Sequence, residues 1–472
     1  MLAYDNFQSN LMSKEQLPPQ PQDDLLPQIL SNPRRASKAL AGLGVETDQV
    51  EGLLRDARRA SEVLASLILA NLQPFDENSA RDDRVQEQAS RDPLVCVVGV
   101  GFVGEILLKE FGSVFPAIGF DISESRLAEI KDDFTALKGV RLSSSQSILK
   151  EATHFCISVP TLLKPDWSVD TRHLESAIDM VTSHARPGST IVIESSVSVG
   201  MTRQLLGAYT DRYFCGMSPE RVDPGRTVPA AHDIPKVISA LTPKALERMQ
   251  DVYSKTFRTV VPVSKPEVAE MTKLFENCYR MINIAYVNEI ADACQKANID
   301  VHELVDAAAT KPFGFQAFRP GLGVGGHCIP INPFYLMANN DLPLLRSATK
   351  ATWDRPYALA REFYAAKKSA LRGAEPRTLV VGVCFKPGQK VVDCSPGVAF
   401  ASELKALGSK DLAFYDPLVE QSRVPWLRKL ETAEFEAAKI DAAFDAVAVC
   451  SRQENVAWRE LENLSKASVK WF

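Results

Sequence analysis

Along most of this chain, short apolar runs alternate with amphipathic stretches. The runs fall at 94–100, 117–120, 154–159, 190–194, 213–217 and 236–239. Runs this short, separated by segments of helical length, predict a βαβ rhythm and a mostly parallel sheet with helices on both faces. That sheet is expected to end near Pro262. Residues 266 to about 297 then continue without an internal Pro or Gly, which predicts one long helix. A second βαβ rhythm begins at Arg377, with strands expected at 378–383, 412–415 and 446–449 and a helix at 398–407. Upstream of Leu94 the texture differs. Pro18-Pro19-Gln20-Pro21-Gln22 reads as a spacer that does not pack. Val50, Leu53, Leu54, Val63, Leu64 and Leu67 recur at helical spacings, predicting a helix from about 47 to 72. Residues 77–91 are charged and read as a linker. The expected division is an extension over 1–92, a first sheet domain over 93–262, a central helical region over 263–372 and a C-terminal sheet domain over 373–472.

A length of 472 residues exceeds one ordinary core and agrees with several domains. The chain is 45% hydrophobic and 24% charged, as in a globular protein. Its net charge of −5, with basic residues spread along the chain, gives no footprint for nucleic acid or an anionic membrane. Nine scattered cysteines without a C-x-x-C pair argue for a reducing, cytoplasmic compartment and against a disulfide framework or zinc site. No apolar run approaches the length of a membrane span, and residues 1–10 are too polar for a signal-peptide core.

The first chemistry lies at the first sheet strand. Val95-Cys96-Val97-Val98 runs into Gly99-Val100-Gly101-Phe102-Val103-Gly104 and then an apolar helical stretch. In a G-x-G-x-x-G between strand and helix, the first Gly makes the turn, the second admits a pyrophosphate, and the third lets helix and strand pack. The helix N-terminus favours phosphate. Alone the pattern is weak, and a glycine-rich turn with a surface Asp would match it. Asp121, however, closes the next strand 22 positions after Gly99, where a carboxylate accepts from a ribose hydroxyl and repels a 2′-phosphate. NAD is therefore expected over NADP, with Arg126 near the adenosine end. The fold class is α/β: two Rossmann-like parallel-sheet domains joined by a central long helix, behind a helical or disordered extension.

A second constellation surrounds one thiol. In Pro320-Gly321-Leu322-Gly323-Val324-Gly325-Gly326-His327-Cys328, glycines let the main chain approach a ligand closely. A cysteine at the end of such a loop can meet that ligand as a nucleophile, although many cysteines in turns are simply buried and inert. Lys273 and Asn277 lie four apart on the long helix and share a face. Together they could hold an oxyanion, and a partly buried lysine can serve as a base. A solvated helix face would read the same way. Ser196, at a strand end, is a candidate for binding a water or the cofactor, or it merely caps the strand. Glu220, in Ser218-Pro219-Glu220-Arg221 after another strand, is a candidate acid or base, or part of a surface turn.

These segments, in this order, resemble the UDP-glucose/GDP-mannose dehydrogenase family over about residues 93–472. Residues 307–315 (Ala-Ala-Ala-Thr-Lys-Pro-Phe-Gly-Phe), followed by the Cys328 loop, look most like its UDP-N-acetylglucosamine 6-dehydrogenase branch. The resemblance implies four-electron oxidation of a nucleotide-sugar C6 hydroxyl to a carboxylate, with two NAD consumed and a thiohemiacetal and thioester on the cysteine. It also implies a UDP-sugar as the expected substrate and a homodimer or higher homo-oligomer built on the long helix. Under the resemblance, Cys328 falls on the nucleophile, Lys273 and Asn277 on the catalytic lysine and its partner, and Glu220 on the glutamate of proton transfer. Ser196 stands where the family usually has threonine. Ile157, Val159, Pro160 and Thr161 fall on a cofactor-contacting strand end, alongside Gly99, Gly101, Phe102, Val103 and Gly104. Arg319, Gly321, Gly323 and Gly325 fall on the sugar-nucleotide loop, with Arg221 nearby. Phe385 and Lys386 fall on a C-terminal segment that reaches the substrate. An ammonium such as that of Lys273 would stabilise a thiolate.

Two positions depart from the family. Asn332 replaces an aspartate four residues past the cysteine, and an amide orients water but takes no proton. Slower thioester hydrolysis is expected. Asp393 replaces an arginine, reversing local charge and weakening the hold on anions, with Lys390 expected to restore part of it. The same departures motivate an alternative: a catalytically impaired relative that binds NAD or nucleotide sugar.

Overall fold

The computed structural model describes residues 92–223 and 226–472. The helix expected over 47–72 and the linker over 77–91 lie outside the described residues. The first part of the described chain runs β1 (Val95–Val98), α1 (Phe102–Gly112), β2 (Ala117–Phe120), α2 (Glu124–Ile130), β3 (Val140–Ser143) and β4 (His154–Ile157). A small hairpin of β5 (Leu162–Leu163) and β6 (Val169–Asp170) follows, then α3 (Arg172–His184), β7 (Thr190–Ile193) and α4 (Met201–Leu206). Next come β8 (Phe214–Met217), β9 (Lys236–Ala240), α5 (Pro243–Thr256) and β10 (Val260–Pro262). Eight strands form one sheet in the order β10-β9-β8-β7-β4-β1-β2-β3. All of its pairings are parallel except β8 with β9.

The strands of this sheet centre are buried on both faces, which is why they read as unbroken apolar runs. One face packs Leu174, Ile178 and Val181 of α3 against Ile118, Phe155 and Ile191. The other packs Leu107 and Phe111 of α1 and Met249 and Val252 of α5 against Val97 and Val192. The register places Val98, Ile157, Ile193 and Met217 in one row across β1, β4, β7 and β8. The loops after these strands therefore leave the sheet side by side, at the carboxyl edge where ligands of open α/β sheets bind.

The central segment consists of α6 (Pro266–Ala297), α7 (Val301–Ala309), α8 (Asn332–Met337) and α9 (Pro343–Ala370). Pro at N1 begins α6, and Asn298 at φ +54° ends it, which accounts for the sharp limits legible in the sequence. The second long helix, α9, was not expected, because Pro356 stands inside it. Packing outweighs the missing hydrogen bond. Pro356 is buried, and a Cβ added at Gly323 would lie 3.2 Å from its ring. Trp353 joins Trp167 of the β5–β6 hairpin at 4.9 Å, and Trp167 stacks on Phe334 of α8. Against one flank of α9 lies α6 and against another lies the C-terminal part.

That part runs β11 (Arg377–Val381), α10 (Pro396–Ala406), β12 (Lys410–Tyr415), β13 (Arg428–Lys429), α11 (Ala437–Ala443), β14 (Ala446–Val449), α12 (Arg459–Glu462) and β15 (Ser468–Trp471). Its sheet is fully parallel in the order β13-β12-β11-β14-β15. The helix expected at 398–407 starts two residues earlier, because Ser395 caps it by accepting from the Val398 N–H and Pro396 takes N1. Among the described residues no helix is long and apolar enough to cross a membrane.

Candidate active site

The glycine loop lies at the point where the sheet order reverses, between β1 and β4. Gly99 has φ +86°, and a Cβ there would meet Val159 at 3.0 Å. A Cβ at Gly104 would lie 1.9 Å from the Gly99 carbonyl oxygen, whereas one at Gly101 would meet nothing within 4 Å. Two glycines thus serve close packing and the third leaves open space at the N-terminus of α1, as a pyrophosphate requires. Asp121 accepts from the N–H groups of Val100 and Ser123 at 2.9 and 2.8 Å, fixing its carboxylate at the end of β2. Phe102 is exposed beside the loop and Val103 is half-buried. The guanidinium of Arg126 donates to the Val100 carbonyl, Glu105 and Glu129, so it braces the loop. The donor set fits NAD. Gly104→Ala is expected to cost about 1–3 kcal/mol of stability and to weaken NAD binding at least about tenfold, because backbone rather than a flexible side chain must move. Thermal melts and NAD titration check it.

The second cofactor-side segment packs against the first. Ser158 Oγ donates to the Gly99 carbonyl at 2.7 Å, and Ser195 Oγ to the Val159 carbonyl at 2.6 Å. Thr161 Oγ1 donates to the carbonyl of Ser196 at 2.8 Å. Pro160 is exposed at this edge, and Ser196 is half-buried.

The organising element of the reacting site is α6. Buried Glu270 accepts from the N–H groups of Gly200 and Thr202 at 2.6 and 2.8 Å, tying the segment after Ser196 to this helix. One turn on, Lys273 is 8% exposed. Burial pulls its ammonium below the usual lysine range, opposed by the charges of Cys328 and Glu220. Glu276 binds Arg221 through two oxygens, at 2.5 and 3.2 Å, and so clips the Ser218–Arg221 segment to α6. Asn277 Nδ2 donates to Asn332 Oδ1 at 2.5 Å, both side chains buried. Asn332 in turn donates its backbone N–H to the Cys328 carbonyl at 2.9 Å. Cys328, half-buried, thus sits on a turn that α6 holds from below, within electrostatic reach of Lys273.

Glu220 is buried and accepts from the N–H groups of Arg221 and Val222. Burial pushes its carboxyl up, but the Lys236 ammonium at 2.5 Å outweighs this and holds it below the usual range.

The C-terminal part closes on the cysteine loop. The Gly326 N–H donates to the Asp393 carbonyl at 2.9 Å. A Cβ at Gly325 would come within 2.6 Å of Phe385, and one at Gly326 within 2.9 Å of its ring. Lys386 Nζ reaches Asp223 at 3.1 Å, across to the first sheet's loops. Gly321 donates to Asn288 Oδ1 of α6 and accepts from Arg355 of α9. The Arg319 guanidinium is exposed and bonded to Asp306 and the His302 carbonyl of α7. The Asp393 carboxylate has the Arg423 guanidinium at 3.9 Å and the His327 ring at 4.0 Å, where Lys390 was expected to compensate.

With this geometry in hand, two parts of the chain match descriptions of one family. Residues 93–257 match the NAD binding domain, and residues 267–350 the central domain, of the UDP-glucose/GDP-mannose dehydrogenase family, together just over half of the chain. The chain belongs to this family. Protein CapL of Staphylococcus aureus is 37% identical over 262 residues, 51% of this chain and 61% of that protein. The UDP-N-acetyl-D-glucosamine 6-dehydrogenase of Pseudomonas aeruginosa is 33% identical over 267 residues, 52% of this chain and 63% of that protein. The chain thus spans under two thirds of the length of these two relatives. The solved UDP-D-ManNAc dehydrogenase of Pyrococcus horikoshii shares the fold, with a TM-score of 0.73 at 24% identity over 80% of this chain and 94% of that one.

Within this family frame, Lys236, Glu270, Glu276 and Arg423 are the site-adjacent residues that the sequence reading missed. Lys236 carried a signal: a lysine opening an otherwise apolar strand run is costly to bury unless acids face it. The loops after β7 and β8 supply them: Lys236 Nζ lies 2.7 Å from Glu194 and 2.5 Å from Glu220.

Proposed function

We propose that this protein is an NAD-dependent nucleotide-sugar 6-dehydrogenase carrying out four-electron oxidation of the C6 hydroxyl to a carboxylate, with a UDP-sugar as the most fitting substrate class. The observation that supports it most is the Cys328 turn held by the Asn277–Asn332 pair that joins α6 to α8, within electrostatic reach of Lys273, between a dinucleotide-type loop and the C-terminal sheet. NAD, when bound, supplies acceptance of the hydride at each oxidation. The remaining work falls to the chain. Lys273 hydrogen-bonds the reacting oxygen, and the C6 hydroxyl proton passes toward Lys273 and Glu220. The Cys328 thiol adds across the aldehyde C=O, its sulfur bonding the carbon as the double bond opens and its proton passing to the oxygen, and the thiohemiacetal so held undergoes the second oxidation to a thioester. Water then cleaves the C–S bond, releasing carboxylate and restoring the thiol. Asn277 and Asn332 orient the oxygen atoms of these steps. Gly321, Gly323, Gly325, Arg319, Arg221, Phe385 and Lys386 surround the nucleotide side.

Incubation with NAD and UDP-N-acetylglucosamine, UDP-glucose or GDP-mannose tests this reading. Two NADH per sugar and a uronic acid product support it. The neutral amide of Asn332 favours a second reading, a protein that stalls as the acyl-enzyme. A single burst of NADH with a sulfur-linked adduct in intact-mass spectra marks that case. Nucleotide-sugar binding without any turnover would overturn both.

The domain limits 93–262, 263–372 and 373–472 serve this chemistry as cofactor, reacting and nucleotide-sugar parts. A homodimer accounts for a stripe on α6. Met271, Phe275, Tyr279 and Tyr286 are exposed there at helical spacing, beside an open groove of about 610 Å³ between α6 and α9. The Asn288 side-chain N–H group is buried in the same groove without a hydrogen-bond partner. Phe275→Glu combined with Tyr286→Glu is expected to yield monomers in sedimentation analysis. Nine free thiols agree with a cytoplasmic setting.

A further inference from the structure

Behind Glu220 lies a buried charge cluster with no part in the steps above. Lys236 Nζ donates to Glu194 Oε2 at 2.7 Å and to Glu220 Oε2 at 2.5 Å. The other oxygen of Glu194 accepts from the Tyr253 hydroxyl, which lies 3.6 Å from the Cys156 sulfur. Glu194 is 1% exposed, and Lys236 and Tyr253 are each 2% exposed. The groups facing the cluster come from every neighbouring element: Glu194 follows β7, Glu220 follows β8, Lys236 opens β9, Tyr253 lies on α5, Cys156 on β4 and Lys273 on α6. The Lys236 ammonium also lies 5.3 Å from the Phe257 ring centre. Arg221 is turned away, onto Glu276.

Two carboxylates here share one ammonium. A buried excess negative charge is unfavourable, so the cluster gains by taking up a proton. The two acids differ in what else they accept. Glu220 takes two backbone N–H groups and faces a second lysine, so it stays ionised. Glu194 has only a phenol besides Lys236, and burial and the Glu220 charge push it up to about 7.

Resting on the dehydrogenase reading above, we propose that Glu194 and Lys236 are positioning residues whose shared proton balance sets how strongly Glu220 acts as a base toward Lys273 and the reacting oxygen. With Glu194 neutral, Lys236 belongs to Glu220 alone and quiets it. When Glu194 releases its proton to solvent, Lys236 is divided between two carboxylates, and Glu220 becomes the stronger acceptor. No bond other than O–H changes, and no electrons are transferred.

The test compares pH–rate profiles of wild type, Glu194→Gln, Lys236→Met and Lys236→Arg, alongside infrared titration of buried protonated carboxyl groups. Glu194→Gln keeps the neutral form at every pH. Its rate relative to wild type is expected to fall severalfold between about pH 6 and about pH 8, as the wild type gains its ionised form. The infrared carboxyl band of the wild type should fade over the same window and be missing in Glu194→Gln. Lys236→Met should raise the acid limb by about one pH unit or more, since two facing carboxylates then share a proton. Lys236→Arg should restore the limb. A Glu194→Gln profile parallel to wild type, or an acid limb unmoved in a folded Lys236→Met, would overturn the proposal. If Lys236→Met does not fold, the Glu194→Gln comparison decides. The infrared band needs no turnover, so a titrating band without sugar oxidation would fault the activity reading, whereas sugar oxidation with parallel profiles would fault this one.

Discussion

Cys328→Ser is expected to stop carboxylate formation, lowering it by on the order of 10³-fold or more. Serine keeps the size and polarity of the side chain, so the turn that donates the Asn332 N–H to the carbonyl of residue 328 is preserved. Reactivity is what changes. Sulfur is intrinsically a far better nucleophile toward a carbonyl carbon than a hydroxyl oxygen is. Without sulfur capture, the aldehyde is neither held for the second oxidation nor converted to a cleavable ester. NAD binding should persist, because the cradle for it lies at Gly99–Gly104. The expected record is therefore normal NAD affinity, a small NADH signal from the first oxidation, traces of aldehyde and no sulfur-linked acyl species by intact mass. Uronic acid formation within about tenfold of wild type would show that the thiol is not the nucleophile.

Much of this architecture was legible because its signals are local. Strands buried on both faces, such as β1, β7 and β14, read as short apolar runs, and α6 was bounded by Pro266 and by the polar turn at Asn298. Edge strands were not legible. In β3 and β15, charged and half-exposed residues break the pattern, because only one side of an edge strand needs a neighbour. α9 was hidden by Pro356 and rescued by contacts with residues more than thirty positions away, such as Gly323. The site divides the same way. The G-x-G-x-x-G loop and the Lys273–Asn277 spacing are set within single elements and could be read directly. The pairing of Glu220 with Lys236 depends on how the loop after β8 returns to the start of β9, and that of Asp393 with Arg423 on two loops of a parallel sheet. Neither approach is written in a short window. Arg126 and Arg319 fall between: their placement near loops was readable, but which acids would claim their guanidinium groups was not.

Asn332→Asp is expected to speed turnover by about 10²-fold if thioester hydrolysis limits the reaction, the usual lower range for a positioned general base. The site is prepared for the change. Asn277 Nδ2 already donates to Asn332 Oδ1, and a carboxylate oxygen at that position would make the bond charge-assisted and stronger. A carboxylate buried in place of an amide is unfavourable unless a cation compensates it. Lys273 lies one turn before Asn277 on the same face of α6, and burial now pulls its ammonium down. A new negative charge nearby would raise that lysine and favour its charged form, so carboxylate and ammonium would stabilise each other. The carboxylate could then take the proton of the water that attacks the thioester, which the amide cannot do. Wild type should therefore accumulate a sulfur-linked acyl species during turnover, and Asn332→Asp should not. The pH profile should change as well, with a new loss of rate on the acid side as the introduced carboxylate is protonated. Unchanged turnover together with no acyl species in either protein would mean that hydrolysis was never slow and that the amide is not a handicap to this chain.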